Sequence, residues 1–210
     1  ELMESALVSN RPAKIFNWES TDQYRFFAFV FGPPSRERHE WFSQPDAAEA
    51  LGDLWRRLSN KKYPGFRWFR DYASYEAAYI ALFDVGAPEA PVPLFESAHN
   101  KSRPAQEVVL ENTYFYEVLG LRVDPTLSVP DHLETQLEFL SAVAFKRDHA
   151  PTEAQKLEMV RLERDFLDRH LLSWTGKAEL KLCKCPFPAF GVLFSLMTRQ
   201  LRLRRRLSST

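Results

Sequence analysis

Apolar positions recur at helical spacing along most of the chain. Ser20-Thr21-Asp22-Gln23 has the form of a capping box and precedes the run Tyr24-Arg25-Phe26-Phe27-Ala28-Phe29-Val30-Phe31, apolar on nearly every side. The pattern predicts an interior helix there, stopped by Gly32-Pro33-Pro34. A second helix is predicted from Asp46 to Leu58, with Ala47, Leu51, Leu54, Trp55 and Leu58 on one face, and a third from Ser74 to Phe83. Residues 86–104 break the periodicity. Pro88, Pro91, Pro93 and Pro104 describe a stiff, extended segment without room for a helix, the natural place for a hinge. Helix is expected again from Ala105 to Leu119, with Gly120 as its stop, and then from Pro130 through Leu133, Leu137, Leu140 and Ala144. Thr152 to Gln155 forms another capping box, opening a long helix to Trp174, and a last helix runs from Ala189 to Leu203. No strand or hairpin signal and no repeat interrupts this, so the fold class is all-α.

Composition narrows the function more than the fold. Lys and Arg number 28 and Asp and Glu 28, so the formal net charge is zero and the electrostatic case for nucleic-acid binding falls away. Seven glycines in 210 residues leave no phosphate-cradling loop, whereas 17 phenylalanines must fill a core or line a groove. The longest apolar stretch, Phe26 to Phe31, is too short to span a bilayer, and the first twenty residues lack a basic start followed by an apolar run. A soluble, cytoplasmic protein is the expectation. Cys183-Lys184-Cys185 is poorly spaced for a disulfide and supplies half a zinc site at best, so neither bridge nor metal is expected. No nucleophile elbow, phosphate loop or H-E-x-x-H occurs, and the five histidines show no ligand spacing, so the chain does not read as an enzyme and implies no cofactor. The arginines at 199, 202, 204, 205 and 206 read as cations complementing the end of the last helix and keeping it solvated.

The local feature that stands out is Val129-Pro130-Asp131-His132-Leu133. Helix chemistry alone accounts for it, since Pro suits a first turn and Asp131 suits a helix N-terminus. Yet Pro130-Asp131-His132-Leu133-Glu134-x-x-Leu137-Glu138-Phe139 also resembles the P-D-H-L-x-x-x-L-E-F signature of the TorD/DmsD/NarJ family, the chaperones that mature molybdenum-containing redox enzymes. Pro93-Leu94-Phe95-Glu96-Ser97 resembles that family's P-L-Y-E-S segment. Tyr114 to Leu121 resembles its aromatic-x-x-x-G-L helix end, and Phe166-Leu167-x-x-His170-Leu171-x-x-Trp174 its F-L-x-x-H-L-x-x-W. The four motifs stand in the family's order over residues 70–200. Where many members carry an acidic residue and a second proline this chain has Ser128 and Val129, and where many carry Trp it has Tyr79 and Leu94. These departures lean toward the chaperones of nitrate, dimethyl sulfide, chlorate or ethylbenzene enzymes.

The resemblance implies a single helical bundle-like domain of the TorD type. Its N-terminal part would be 1–86, its proline-rich hinge 87–104 and its C-terminal part 105–210, with a homodimer by domain swapping open to such a hinge. It implies a chaperone, not an enzyme, that binds the twin-arginine signal peptide or N-terminal segment of a molybdenum oxidoreductase catalytic subunit and holds it for cofactor insertion before export. The competing class is a helical regulatory or scaffold module without signal-peptide binding. For the leader, carried residue by residue, the resemblance implies Asp131 and His132 as a binding pair, with Asp131 partly exposed. Tyr79, Leu82 and Phe83 become the floor of a groove, and Pro93, Leu94, Phe95, Glu96 and Ser97 its rim, with Glu96 adding charge.

Overall fold

The computed structural model describes residues 20–86, 89–124 and 128–208. In chain order the helices are α1 (Ser20–Phe31), α2 (Arg36–Ser43), α3 (Pro45–Leu58), α4 (Tyr72–Tyr79), α5 (Glu96–His99), α6 (Ala105–Val118), α7 (Leu133–Asp148), α8 (Glu153–Phe166), α9 (Leu172–Leu182) and α10 (Pro188–Leu207). Two π-turns, Ile80–Asp84 after α4 and Leu167–Leu171 between α8 and α9, continue the helices on either side. Among the described residues there is no strand, only an isolated antiparallel bridge between Phe95 and His132. No helix among them is long and apolar enough to cross a membrane.

The interior helix is as expected. Tyr24, Phe26, Phe27, Val30 and Phe31 of α1 are buried, and α1 runs against α7. The side chain of Ser20, from the expected capping box, lies outside the described residues, as does Pro88. Further packing joins α7 to α8, α9 to α10, and α10 to α3. Thr152 caps α8 by accepting from the Gln155 amide, as its spacing predicts. Gly120, at φ +73°, ends α6 in a reverse turn in which its own amide bonds Glu117 and that of Leu121 bonds Tyr116.

Several boundaries differ from the periodic reading. Helix α2 was not anticipated, because Trp41 and Phe42 are the only apolar residues in Arg36–Ser43; a Ser35 side-chain cap on Arg38 starts it. The helix expected to stop near Trp174 continues to Leu182 through the π-turn, and the last helix continues to Leu207. The segment thought too rich in proline for a helix holds one turn, α5. Helix α7 starts at Leu133 rather than Pro130, because His132 is extended (φ −73°, ψ 140°) and serves as the N-cap.

The arginines of α10 do more than solvate its end. Arg202 pairs with Glu179, Arg205 with Asp168, and Arg204 with Glu163. Glu163 is fully buried; its carboxylate accepts from Tyr24 Oη at 2.8 Å, Arg147 Nη1 at 2.5 Å and both Arg204 nitrogens at 3.0 Å, fastening α1, α7 and α10 to α8. Most of the remaining cohesion is aromatic. Phe190 of α10 meets Trp68, Phe69, Tyr75, Tyr79 and Phe83 at centroid separations between 5.1 and 6.2 Å. Phe190→Ala should therefore cost about 3–5 kcal/mol in a chemical denaturation curve, with unchanged slope. A loss under about 1 kcal/mol would mean that the ring cluster is not the core.

Candidate functional site

The connecting segment and the P-D-H turn form one clasp. Leu133 donates its amide to Leu94 O at 2.8 Å and Glu96 donates to Asp131 O at 3.0 Å, which is the ladder around the Phe95–His132 bridge. The carboxylate of Asp131 accepts from the amide of Ser97 at 3.0 Å, inside the first turn of α5. Tyr116 Oη donates to Pro130 O at 2.5 Å, and the Phe95 ring meets His132 edge-on at 4.9 Å. Asp131 is 1% exposed, so the expectation of a partly exposed carboxylate is overturned. Its acidity is spent on a neighbouring helix turn rather than on the start of its own helix.

Behind the clasp, the side chain of Glu96 points inward. Its Oε2 accepts from Gln136 Nε2 at 2.7 Å, His170 Nδ1 at 2.9 Å and Asn112 Nδ2 at 3.1 Å, and all four residues are buried. Gln136 also donates to Asn112 Oδ1 at 3.0 Å. Glu96 thus ties the segment to α6, α7 and the second π-turn at once. Its expected role of adding charge to a groove rim is not what this geometry serves. Close by, His99 bonds Pro93 O at 2.7 Å and stacks on Trp174 at 4.9 Å. Asn112 and Gln136 were missed by the sequence reading, although each is a polar residue on an otherwise apolar helix face: Asn112 among Val108, Phe115 and Tyr116, Gln136 among Leu133, Leu137 and Leu140. A buried amide in such a place needs a partner.

Tyr79, Leu82 and Phe83 are brought to the same segment but not to the surface. All three are buried: Tyr79 Oη donates to Phe31 O at 3.0 Å, Phe83 packs on Phe31 and Phe190, and Leu82 O accepts from Val92 N at 2.9 Å. As folded they are core, not the floor of an open groove. Leu94 is buried as well, while Phe95, Ser97 and His132 keep partial exposure. On the outside of the first π-turn, Ile80 and Val85 are exposed.

Electrostatics single out residues to which the motif reading gave no binding role. Glu134, in the first turn of α7, is pushed up to about 7 by burial, next by the like charge of Glu138, against the lowering pull of Arg38. Burial also raises Asp84, and Glu138 is exposed by area yet surrounded by enough protein for desolvation to raise it too. Asp84 and Glu134 both act on the phenol of Tyr79, whose ionisation is pushed up chiefly by burial. Arg38 is the basic partner recorded for Glu134, at 3.6 Å. No group of three His, Cys, Asp or Glu among the described residues could hold a metal, and Cys183 and Cys185 are free thiols. Two surface cavities, about 660 Å³ beside Arg147 and Arg204 and about 550 Å³ beside Arg103 and Arg169, are lined by none of the residues of the clasp.

Two substitutions test the clasp. Asp131→Ala should cost about 1–3 kcal/mol by stranding the Ser97 amide, whereas Asp131→Asn, which keeps an acceptor oxygen, should recover most of it. His132 is lowered to about 4 by burial, against the raising influence of Asp131, and accepts the Glu134 amide at Nδ1, 3.3 Å away. The unfolded chain therefore takes up the proton first, and stability is lost as pH falls from about 6.5 through about 4. His132→Asn keeps a capping acceptor and should remove that part of the acid sensitivity, read from melting temperatures across the window; an unchanged pH dependence would contradict the assignment.

The family model described as nitrate reductase delta subunit matches residues 44–178, the stretch from the start of α3 into α9 that contains the whole clasp. The chain is 32% identical over 145 residues to the selenate reductase assembly chaperone protein of Thauera selenatis, covering 67% of this chain and 70% of that one. It is 31% identical over 137 residues to the chlorate reductase assembly chaperone protein of Ideonella dechloratans, covering 64% and 67%. Against the chaperone protein TorD of Vibrio parahaemolyticus it is 25% identical over 202 residues, covering 87% and 90%. All three relatives are named as chaperones, two of them for the assembly of a reductase. With its four motifs folded into a single clasp and the family model spanning most of the helices, the chain belongs to the nitrate reductase delta subunit family, the TorD/DmsD/NarJ group of non-catalytic maturation chaperones.

Proposed function

We propose that this chaperone works in the cytoplasm and holds the N-terminal twin-arginine leader of a molybdenum oxidoreductase catalytic subunit until its cofactor is inserted. The relatives named for selenate and chlorate reductases support a reductase client. The observation that carries the leader reading is a set of acids: Asp84 ends the first π-turn, Glu134 and Glu138 follow one another along α7, and Asp84 and Glu134 both act on Tyr79. Burial raises all three, the like charge of Glu138 adds to the shift of Glu134, and Arg38 opposes it there. A leader brings two guanidinium groups, which such acids bind with charge-assisted hydrogen bonds, and an apolar stretch, for which Ile80 and Val85 offer exposed contact.

In this reading the motif residues divide their work. His132 and the outer edge of Pro93–Ser97 form the border of the site. Asp131 and Glu96 hold that border in place from beneath, and Tyr79, Leu82 and Phe83 form the wall behind the carboxylates. Domain swapping through the connecting segment would have to open the Glu96 contacts and re-form them between two copies.

Glu134→Gln separates binding from stability. The folded carboxyl sits near 7 against an ordinary 4.5, so the folded chain binds the extra proton and stability falls as pH rises through that window. The amide should raise the melting temperature by a few degrees at about pH 8 and leave it nearly unchanged at about pH 4. The same variant should bind a synthetic twin-arginine leader at least about tenfold more weakly by calorimetric titration at about pH 8. Leader binding that is indifferent to Glu134→Gln, or to replacing the two arginines with lysines, would refute the proposed function.

A further inference from the structure

The guanidinium of Arg38 sits in a cradle with more than a single ion pair. Its Nε donates to Phe29 O and its Nη1 to Pro33 O, carbonyls left over where α1 ends. The same group lies 5.1 Å above the centroid of the Phe29 ring and 3.6 Å from Glu134. Gly32 forms the floor: a Cβ there would collide with both Glu134 and the Arg38 guanidinium. Two fixed carbonyls, an aromatic face, a carboxylate and a missing side chain are the elements that recognise a planar, five-donor cation and serve an ammonium poorly.

We propose that this cradle is a guanidinium-binding site which Arg38 fills from within, and that an arginine of a bound polypeptide takes its place. The inference rests on the leader reading above for the identity of that polypeptide, not for the cradle itself. Arg38 can leave without dismantling the core. It stands on α2, a helix of eight residues, and its backbone role there, donating its amide to the Ser35 cap, does not depend on the side chain. Its side chain is 14% exposed and that of Glu134 26%, so the cradle opens to the surface beside Glu138. Arg38 would then compete with the incoming arginine, keeping the carboxylate partly neutralised while the site is empty and weakening any segment that cannot supply a guanidinium of its own.

Chemical rescue tests this. Arg38→Ala should melt lower than the natural chain. Methylguanidinium at millimolar concentration should restore part of the loss in the variant, leaving the natural chain unmoved, while methylammonium at equal ionic strength should do neither. The variant should also bind a twin-arginine leader at least about fivefold more tightly, and a twin-lysine leader no better. Arg38→Lys, which keeps the charge but cannot span both carbonyls, should also respond to methylguanidinium and guards against misfolding of the alanine variant. Equal effects of the two cations, or a leader bound equally or more weakly by Arg38→Ala, would overturn the proposal. Rescue by methylguanidinium with no leader binding by either protein would overturn the displacement step and the leader reading together, leaving only a structural cradle.

Discussion

A buried carboxylate needs hydrogen-bond donors, and the one on Glu96 settles how much of this chain is arranged. An isolated ionised carboxylate in an apolar interior costs several kcal/mol even after relaxation, so it persists only where donors converge on it. Here the donors come from three places far apart in sequence: Asn112 on α6, Gln136 on α7 and His170 in the second π-turn. Their convergence fixes where residues 93–99 run across the helices. With Glu96 in place, its own amide and that of Ser97 are delivered to Asp131, and the P-D-H turn is held extended so that α7 begins at Leu133. The two best-marked motifs of the family are therefore halves of one contact.

This changes what the P-D-H signature means physically. An acid and a histidine side by side invite a binding role, but the acid is buried as a hydrogen-bond acceptor and the histidine is kept neutral by burial while capping a helix. Their effect on a client runs through position. The groups with electrostatic capacity to spare stand just beyond that pair, where Glu134 and Glu138 share a face of α7 and Arg38 partly neutralises Glu134. Surface acids held out of their ordinary range reduce folded stability at neutral pH, and a site that awaits a cation explains why such a cost is kept.

Much of the fold was legible because helical periodicity depends on neighbours three and four residues away. The faces of α3 and α6, the Thr152 cap and the Gly120 stop all follow from local rules. Helix α2 escaped because a surface helix with two apolar residues has no period to read, and α5 because its single turn is held by Asp131 from 34 residues away. For the site, the motif residues did assemble, with Pro93–Ser97 against Asp131–His132. What sequence could not convey was depth: Tyr79, Leu82 and Phe83 at helical spacing suit a groove floor and a core equally well, and Phe31 and Phe190 make them core. Arg38 and Glu134 were overlooked because their pairing joins residues far apart in sequence and the signature leaves position 134 open.

The Glu96 junction should hold the connecting segment as firmly as the core. Native-state hydrogen exchange of the Glu96, Ser97 and Leu133 amides, followed against low denaturant, tests this most directly. If the Glu96 junction is what holds the segment, these amides will exchange only through global unfolding, with the same denaturant dependence as amides in the middle of α7. Exchange through a low-energy opening that is insensitive to denaturant, while α7 stays protected, would show the segment to be loosely held and the central claim to be wrong.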